Sequence, residues 1–541
     1  MPDPCPSLEQ KIDRLTDPSV YPHPVSMVTT IETHISIVFL TGDYAYKLKK
    51  PVDFGFLDFA TLPRRQRFCE MELTLNRRTA PQLYLDVCPL YAAKSGLSFS
   101  AEADSPVCEY LVKMRQFDPN QVLSKQLSPQ QPLSDAQTRQ LAQTIAELHD
   151  QAEPCEASEP YGHPDDLIHP MLDNFPTLLQ ALDHPEDQYR LRQLAEWTRH
   201  RQKTLWDALM QRKHGGWIRA CHGDLHLDNI TLIDQTPVLF DGIEFNEQFR
   251  WIDPINDLAF LMTDLIFRRQ WTMKNALLSD YLQHTGDYAG AALLRFYQAY
   301  RALVRAKITL LRRMQLPDDQ IDQRDQLTRK AQDYVRQAEN DAYDVSPPQL
   351  ILMQGVSGSG KSTLAREALA HFGPAPAVVI SSDIERKRLF GIAPQTRVDV
   401  EQKTDLYGAE MNRRTYERLH RLAKQLLAGG VNVIVDATNL KAAYRQSFQH
   451  LAQKHQAWYK VCCLQTDAPE DLNRLRQRLQ ARARHNQDPS DADETVMQQQ
   501  LAQFEPPDAD EAALTLPLAQ VDTIRHSPAF SDWLQTAPSN A

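Results

Sequence analysis

Apolar positions along the chain change their period several times, and each change predicts an element. Residues 27–40 are apolar and β-branched in character, break at Thr41-Gly-Asp43 and resume over 44–49, which predicts paired strands with Lys47 and Lys49 on one face of the second. A helix is expected over 64–78, a strand over 107–114, and a helix over 135–149 with Leu141, Ile145 and Leu148 as its core face. Residues 150–186 are rich in Pro and Asp and carry no usable period. Helical text returns from Leu293 to Asn340, with Leu303, Ala306, Leu310 and Met314 at apolar spacing. It stops at Tyr343-Asp-Val-Ser-Pro-Pro-Gln349, because paired prolines exclude helix. Beyond that point, apolar runs at 350–353, 377–380, 431–435 and 460–464 alternate with helical stretches. This alternation predicts a parallel sheet with ligands at the carboxyl ends of its strands. The last helix of the series is expected to start at Asp467-Ala-Pro-Glu470, with Asp467 as its cap.

These breaks predict an N-terminal domain over 1–340, a linker at 341–349, an α/β domain over 350–505 and a polar tail over 506–541. The length of 541 residues suits two to four domains, and 42% hydrophobic with 24% charged residues is the make-up of soluble globular protein. No apolar run approaches the roughly 18 residues of a membrane span, and no leader is expected from the Met-Pro-Asp-Pro-Cys-Pro start. The eight cysteines are scattered, adjacent only at Cys462-Cys463, with no C-x-x-C pair. They are expected to be reduced thiols of a cytoplasmic protein, forming neither a disulfide frame nor a zinc site. Net charge is −11, and basic and acidic residues balance from Ser346 onward, so the acidic excess lies wholly before it. The chain lacks the broad basic footprint that would favour nucleic acid as a partner.

Two stretches carry chemistry. The first, Gly355-Val356-Ser357-Gly358-Ser359-Gly360-Lys361-Ser362-Thr363, lies between a strand and a helix, the context a phosphate-binding loop requires. Its glycines let backbone N–H groups converge on phosphate oxygens, and the helix N-terminus adds its dipole. Lys361 can reach the β- and γ-phosphates and Ser362 can ligate Mg²⁺, so ATP is the expected ligand of these nine residues.

The second stretch is Cys221-His222-Gly-Asp224-Leu-His226-Leu-Asp-Asn229-Ile230, followed by Pro237-Val-Leu-Phe-Asp241-Gly-Ile-Glu244. Phosphoryl transfer needs a carboxylate to orient the acceptor hydroxyl, and an amide with a second carboxylate to hold Mg²⁺. The spacing of Asp224, Asn229 and Asp241 follows the protein-kinase pattern, with Gly223 where those enzymes have arginine.

His222–Ile230 resembles the catalytic loop of aminoglycoside phosphotransferase-like kinases, a branch of the protein-kinase-like fold. The resemblance covers roughly 27–310 and implies an α+β domain with Asp224 as catalytic base and Asn229 and Asp241 as Mg²⁺ ligands. It further implies Lys47 as the phosphate-contacting lysine, Glu72 (or else Glu70) as its helix partner, and Asp257 as a brace for the catalytic loop. No glycines precede the Thr41-Gly-Asp43 turn where protein kinases have a glycine-rich loop, so Thr33, His34 and Ser36 would have to contact phosphate.

In the second half, the phosphate loop, Ser382-Asp383-x-x-Arg386, Asp436-Ala-Thr-Asn439 and Arg478-x-x-x-Arg482 resemble P-loop kinases related to phage polynucleotide kinase and zeta toxins. An α/β P-loop domain with a parallel sheet is implied over about 350–505. Asp383 would be the general base, Arg386 would position the acceptor, Asp436 would support Mg²⁺, and Arg478 and Arg482 would belong to a lid. Arg474, Arg478 and Arg482 recur every four residues and so share a helix face.

The whole resembles bacterial fusions of a phosphotransferase-like domain to a P-loop kinase. The expected function is a bifunctional ATP-dependent phosphotransferase acting on small-molecule hydroxyl acceptors. Two other readings are a regulatory nucleotide-binding protein without turnover in one half, and a nucleic-acid 5′-hydroxyl kinase, whose oligonucleotide binding would be salt-sensitive.

Overall fold

In the computed structural model the first apolar run is two strands rather than one, β1 (Thr29–Glu32) and β2 (Ser36–Leu40). Thr33 makes the break. Its N–H donates to Ser36 O at 2.9 Å, and its hydroxyl accepts the Ser36 N–H at 3.0 Å, so the turn satisfies the backbone locally. The structure describes residues 5–537 apart from 56, 94–95, 102–104, 129, 345, 395, 467–468, 486–489, 509–510 and 522–527; the side chains of 400–401, 469, 482–485 and 528–529 are likewise left undescribed. The expected cap at Asp467 therefore lies outside the described residues.

The chain divides into two compact units: Met1–Gln131, Glu147–Asn174 and Thr198–Asp264 form one, and Pro132–Ala146, Phe175–Trp197 and Leu265–Ala541 the other. The first unit carries an antiparallel sheet in the order β1-β2-β3-β6-β4-β5, with β3 at Tyr44–Lys49, β4 at Tyr84–Ala93, β5 at Gly96–Ser98 and β6 at Val107–Arg115. Helix α1 (Leu8–Leu15) packs on this sheet, and the Lys11 ammonium donates to Cys108 O at 2.8 Å. That docking brings Cys5 beside Cys108, and the two form a disulfide across 103 residues of sequence. The expectation of reduced thiols throughout is corrected at this pair, which no sequence spacing could reveal; the other six cysteines are free.

Helix α2 (Leu62–Asn76) buries Arg65, Cys69, Glu72 and Asn76, a stripe at helical spacing. The stripe places one carboxylate, Glu72, on the face turned to the sheet, where β3 presents Lys47 and Lys49. Farther along lie helix α3 (Asp135–Gln151), the two-residue strands β7 (Arg219–Ala220) and β10 (Trp251–Ile252), the hairpin β8 (Ile230–Ile233) and β9 (Thr236–Leu239), and helix α4 (Pro254–Phe267). The hairpin turns through Asp234 and Gln235, both at positive φ (49° and 65°), the turn geometry that matches strand twist.

The second unit is built on five parallel strands in the order β12-β13-β11-β14-β15. They are β11 (Gln349–Gln354), β12 (Ala377–Ser381), β13 (Asn432–Asp436), β14 (Trp458–Gln465) and β15 (Ala513–Pro517). The fifth strand corrects the expectation of a polar tail over 506–541. Leu516, Leu518, Val521, Phe530 and Leu534 join the buried core beside Ile351, Leu364 and Cys462. Apolar residues at 514, 516 and 518 alternate with polar or small ones, a strand period in a short segment of otherwise polar text.

Helices α5 (Trp271–Thr285), α6 (Leu294–Gln315) and α7 (Ile321–Tyr343) belong to this second unit. Residues 273–282 of α5 are buried without interruption, so the helix has no solvent face along its middle. It lies against β12, the edge strand, and supplies the hydrogen bonds that a further strand would make. Asn275 Oδ1 accepts the Ala377 N–H at 3.2 Å, Ser279 Oγ accepts the Val379 N–H at 3.0 Å, and Gln283 Nε2 donates to Val379 O at 3.0 Å. The three side chains stand four residues apart, hence on one face. The buried Lys274 ammonium donates to Pro374 O at 2.7 Å and Ala375 O at 3.1 Å, and burial pulls its pKa down to about 7. No helix among the described residues is long and apolar enough to cross a membrane.

This edge cover makes a prediction. Ser279→Ala leaves a buried backbone N–H on β12 without its partner, which costs about 1–3 kcal/mol. Denaturant unfolding of the full chain should register that loss, whereas Ser→Ala at the exposed Ser158 should leave stability unchanged within roughly 0.5 kcal/mol.

Candidate active sites

In the first unit the period-two face of β3 and the helical stripe of α2 meet. Lys47 Nζ lies 2.8 Å from Glu72 Oε1 and 2.6 Å from Asp241 Oδ1. Lys49 Nζ lies 2.6 Å from Glu72 Oε2 and also pairs with Glu244. Glu70 instead faces solvent and accepts from Gln66 at 2.9 Å, so Glu72 is the partner of the strand lysine. Burial opposes charge on Lys47, Lys49, Glu72 and Glu244. For Lys47 the opposition is outweighed by Asp241 and then Glu72, which hold its pKa well above the usual lysine value. Glu72 is pushed upward by burial but drawn down to about 2 by Lys47 and Lys49. Glu244 goes the other way: burial raises its pKa, against the pull of Lys49.

Asp241 sits at the free end of the β8–β9 hairpin. Pairing of Ile230 with Leu239, continued by the Phe240 N–H donating to Asn229 O at 3.0 Å, brings Asn229 alongside Asp241. Asp241 adopts φ 61°, an uncommon conformation for a residue with a side chain. Its N–H donates to Tyr84 Oη at 3.1 Å, and the Gly242 N–H donates to Asn76 Oδ1 at 2.8 Å. Together these bonds fix where the carboxylate points.

The loop bearing Asp224 is held from below. Asp257, at the start of α4, accepts the His222 N–H at 2.9 Å and the Gly223 N–H at 3.0 Å, and His149 Nε2 approaches it at 3.1 Å. Gly223 has φ 86°, and a Cβ there would stand 2.8 Å from Phe249 O, so the position where protein kinases carry arginine here requires glycine. Asn229 Nδ2 donates to the Asp224 backbone oxygen at 2.9 Å and to Asp224 Oδ2 at 3.0 Å, and His226 Nε2 lies 3.1 Å from the same oxygen. Lys47, Glu72 and Asp241 thus form one group of contacts, and Asp224 and Asn229 a second, the five residues coming from four separate stretches of sequence. Thr33 and Ser36 hydrogen-bond each other in the β1–β2 turn.

In the second unit the loop 355–363 joins β11 to helix α8 (Lys361–Ala368). Gly355, at φ 150°, would place a Cβ 2.9 Å from Ser359 Oγ and 3.2 Å from Leu464 O, so the loop cannot accept a side chain there. Lys361 Nζ curls back to donate to Val356 O at 2.9 Å. In-register parallel pairing sets Asp436 level with Met353 on one side and Ser381 on the other, which puts Asp383, two residues on, at the same carboxyl end of the sheet.

Asp383 lies in helix α9 (Ser382–Phe390), one turn before Arg386, and the two pair at 2.6 Å. Arg386 also donates to Asn412 Oδ1 at 3.2 Å from helix α10 (Ala409–Ala428), and its guanidinium lies 4.8 Å from the Tyr407 ring centre. Arg478, from helix α12, donates to Ser359 O at 3.3 Å; α11 and α12 are Ala442–Lys454 and Pro469–His485. Lys361, Ser362, Asp383, Arg386, Asp436 and Arg478 all line one cavity of about 640 Å³. The side chain of Arg482 lies outside the described residues.

Some participants carry no motif. Lys49 and Glu244 could be suspected from period two and from proximity to Asp241 in sequence, but their burial could not. In the cavity, Asn412, Tyr416, Lys441 and Tyr444 come from stretches that read only as helix or loop; the Tyr416 and Tyr444 rings stack at 3.9 Å.

A glycine-supported phosphate loop and a lysine–carboxylate site beside a braced, aspartate-bearing loop define an ATP-dependent phosphotransferase. Comparison with known proteins agrees: the model of the phosphotransferase enzyme family matches residues 66–297, and that of an AAA domain matches 350–507. The chain belongs to the family of the uncharacterised protein Rv2004c of Mycobacterium tuberculosis, with which it is 31% identical over 472 residues, covering 86% of this chain and 89% of that one. The uncharacterised protein Mb2027c of Mycobacterium bovis matches equally. Among solved structures, a choline/ethanolamine kinase family protein from Mesorhizobium loti aligns over 61% of this chain and 99% of its own at 14% identity and TM-score 0.35. The Mycobacterium tuberculosis APS kinase CysC, in complex with AMPPNP and APS, aligns over 35% of this chain and 100% of its own at 19% identity and TM-score 0.25.

Glu72→Gln tests the first cluster. Breaking a buried charge pair on one side costs about 3–5 kcal/mol. The carboxyl is held at about 2 against an ordinary 4.5, so between those values the unfolded chain binds more protons than the folded one. The stability Glu72 contributes is therefore full above pH 4.5 and lost as pH falls through about 2. Denaturant titrations should show a constant gap between wild type and variant from neutral pH down to about 4.5, and a gap that shrinks as pH falls from there through about 2.

Proposed function

We propose that both sites turn over, each transferring the γ-phosphate of ATP to a hydroxyl of a small molecule. The P-loop module would reach back before the 341–349 linker to about Leu265 and on past 505 to include the strand Ala513–Pro517, and the reaction would run in the cytoplasm, where ATP is free. The observation that carries this reading is the Lys47–Glu72–Asp241 chain standing with the hydrogen-bonded Asp224 and Asn229, a set with a distinct chemical use for each member.

Both sites offer oxygen donors suited to a hard divalent cation. Asn229 and Asp241 would hold Mg²⁺ in the first, and Ser362 and Asp436 in the second. Mg²⁺, when bound, neutralises phosphate charge and ties the phosphate chain down.

In the first site Lys47, kept charged by its neighbours, contacts phosphate oxygens while Glu72, itself anchored by Lys49, holds it in place. Asp224 accepts the proton of the acceptor hydroxyl as the hydroxyl oxygen bonds to the γ-phosphorus. The bond to the β–γ bridging oxygen breaks and ADP leaves with that electron pair. In the second site the loop amides and Lys361 cradle the phosphates, once Lys361 leaves Val356 O. Asp383 takes the hydroxyl proton there and Arg386 orients the acceptor. Arg478 and Arg482 act as a lid that stabilises charge in transfer.

ADP release from the full chain should depend on an added alcohol. With the acceptors found by screening sugars, aminoglycosides, nucleosides and oligonucleotides, Asp224→Asn and Asp383→Asn should each abolish one activity, by about 10²–10⁴-fold, with ATP affinity retained. Asp241→Asn should instead remove most of the Mg²⁺ dependence of nucleotide binding at the first site, and Lys361→Ala should weaken ATP binding at the second. ATP binding with no acceptor-dependent ADP at either site would sink the proposal in favour of a regulatory protein. Transfer confined to oligonucleotides and suppressed by salt would replace small molecules with nucleic-acid ends.

A further inference from the structure

Helix α9 presents two faces. Ser382, Asp383 and Arg386 line the cavity, while Glu385, two residues from Asp383 and therefore about 200° around the helix, points away from it. Glu385 is fully buried and fully engaged: Oε1 accepts from Tyr288 Oη at 3.2 Å and from Arg388 Nε at 3.2 Å, and Oε2 accepts from Arg418 Nε at 2.5 Å. Arg418 lies on α10, the same helix that offers Asn412 to Arg386. Arg388 in turn donates to Gln283 O at 2.5 Å near the end of α5. The rotation of α9 about its axis is thus set from the rear by Glu385, whose carboxylate is held by Arg418, Arg388 and Tyr288 together.

Tyr288 is 1% exposed, and burial first, then the Glu385 carboxylate, push its pKa far up, so the hydroxyl keeps the proton it donates. Nothing in the catalytic scheme above uses it. Its place in the sequence gives it meaning. Residue 288 falls inside 66–297, the stretch matched by the phosphotransferase family, yet it packs within the unit built on the P-loop sheet.

We propose that Tyr288 is a positioning residue for the P-loop site, acting through Glu385 to hold helix α9 so that Asp383 and Arg386 face the cavity. The proposal rests on the reading of Asp383 and Arg386 as that site's acceptor-side pair. It means that the P-loop site is finished by a residue from the segment that precedes the linker.

The test uses the full chain carrying Asp224→Asn, which silences the first site, with Tyr288→Phe added. Hydrogen exchange is followed with Mg-ATP present, together with ADP formation with water as acceptor. Losing a hydrogen bond to a buried charged group should speed exchange in 382–390 about tenfold and lower ADP formation about tenfold. Mg-ATP affinity and exchange in 361–368 should stay at the parent values. Glu385→Gln, which keeps shape and loses charge, should have the same signature and a larger size. Exchange in 382–390 unchanged by Tyr288→Phe would overturn the proposal, and so would an equal rise across 361–368 and 432–436, the mark of a merely structural tyrosine. Lys361→Ala separates the two ideas: if it leaves ADP formation unchanged, the P-loop site reading fails, while the exchange data still decide whether Tyr288 sets α9.

Discussion

A parallel sheet ends in strands whose outward N–H and C=O groups need partners, and in the second unit that need at β12 is met by side chains. Asn275, Ser279 and Gln283 take the place of a sixth strand, and Lys274 closes the adjoining carbonyls. Everything functional downstream of β12 inherits this arrangement. Ser382 and Asp383 begin where the strand ends, and the orientation of α9 follows from the strand's height and twist. An amide ladder made by side chains is also more selective than a strand would be, since a helix can satisfy the edge only with donors and acceptors spaced at four. It excludes edge-to-edge pairing with other chains at the same time.

The two sites solve the problem of holding a polyanion in different ways. The P-loop relies on backbone amides, which need no counter-charge in the empty protein, and parks its one lysine on a carbonyl. The first site instead gathers Lys47 and Lys49 against Glu72, Glu244 and Asp241, three carboxylates to two ammoniums. Such a cluster is stable only because each charge touches an opposite one, for desolvation penalises its four buried members, Lys47, Lys49, Glu72 and Glu244. The surplus is relieved in two places. Glu244 has a raised pKa, and Asp241, with 44% of its side chain exposed, is the member open to solvent. The negative excess is thus left at the solvent-open carboxylate of Asp241.

Much of this was legible in the sequence where chemistry requires fixed spacing. Asp224 and Asn229 sit in one loop, Asp241 ends the next strand, and nine consecutive residues make the phosphate loop. A period of two put Lys47 on one strand face, but its pairing with Glu72 was legible only through the resemblance to aminoglycoside phosphotransferase-like kinases, which left Glu70 as the alternative. What failed to show were features set by distant packing. Thr33 breaks an apolar run because its hydroxyl competes for the backbone, which a hydropathy period does not register. The strand at 513–517 was masked by the polar residues around it. Tyr288 and Glu385, like His149 and Asp257, are partners across about a hundred residues, and the Tyr288 hydroxyl has no neighbour in sequence to advertise its role.

The Cys5–Cys108 bond has its own consequence. It closes a covalent ring across 103 residues of sequence, and the ring contains both Lys47 and Glu72. A single peptide-bond cut anywhere between the two cysteines leaves the pieces covalently joined, and only a thiol reductant breaks that link. The strand lysine and its helix glutamate therefore stay tethered in oxidised protein even when the chain between them is nicked. In a reducing milieu the same nick frees the N-terminal fragment of its covalent tie. Reduction of this one cystine leaves a nicked lobe held by packing alone, with the Lys11–Glu109 pair and the α1 docking as its remaining ties.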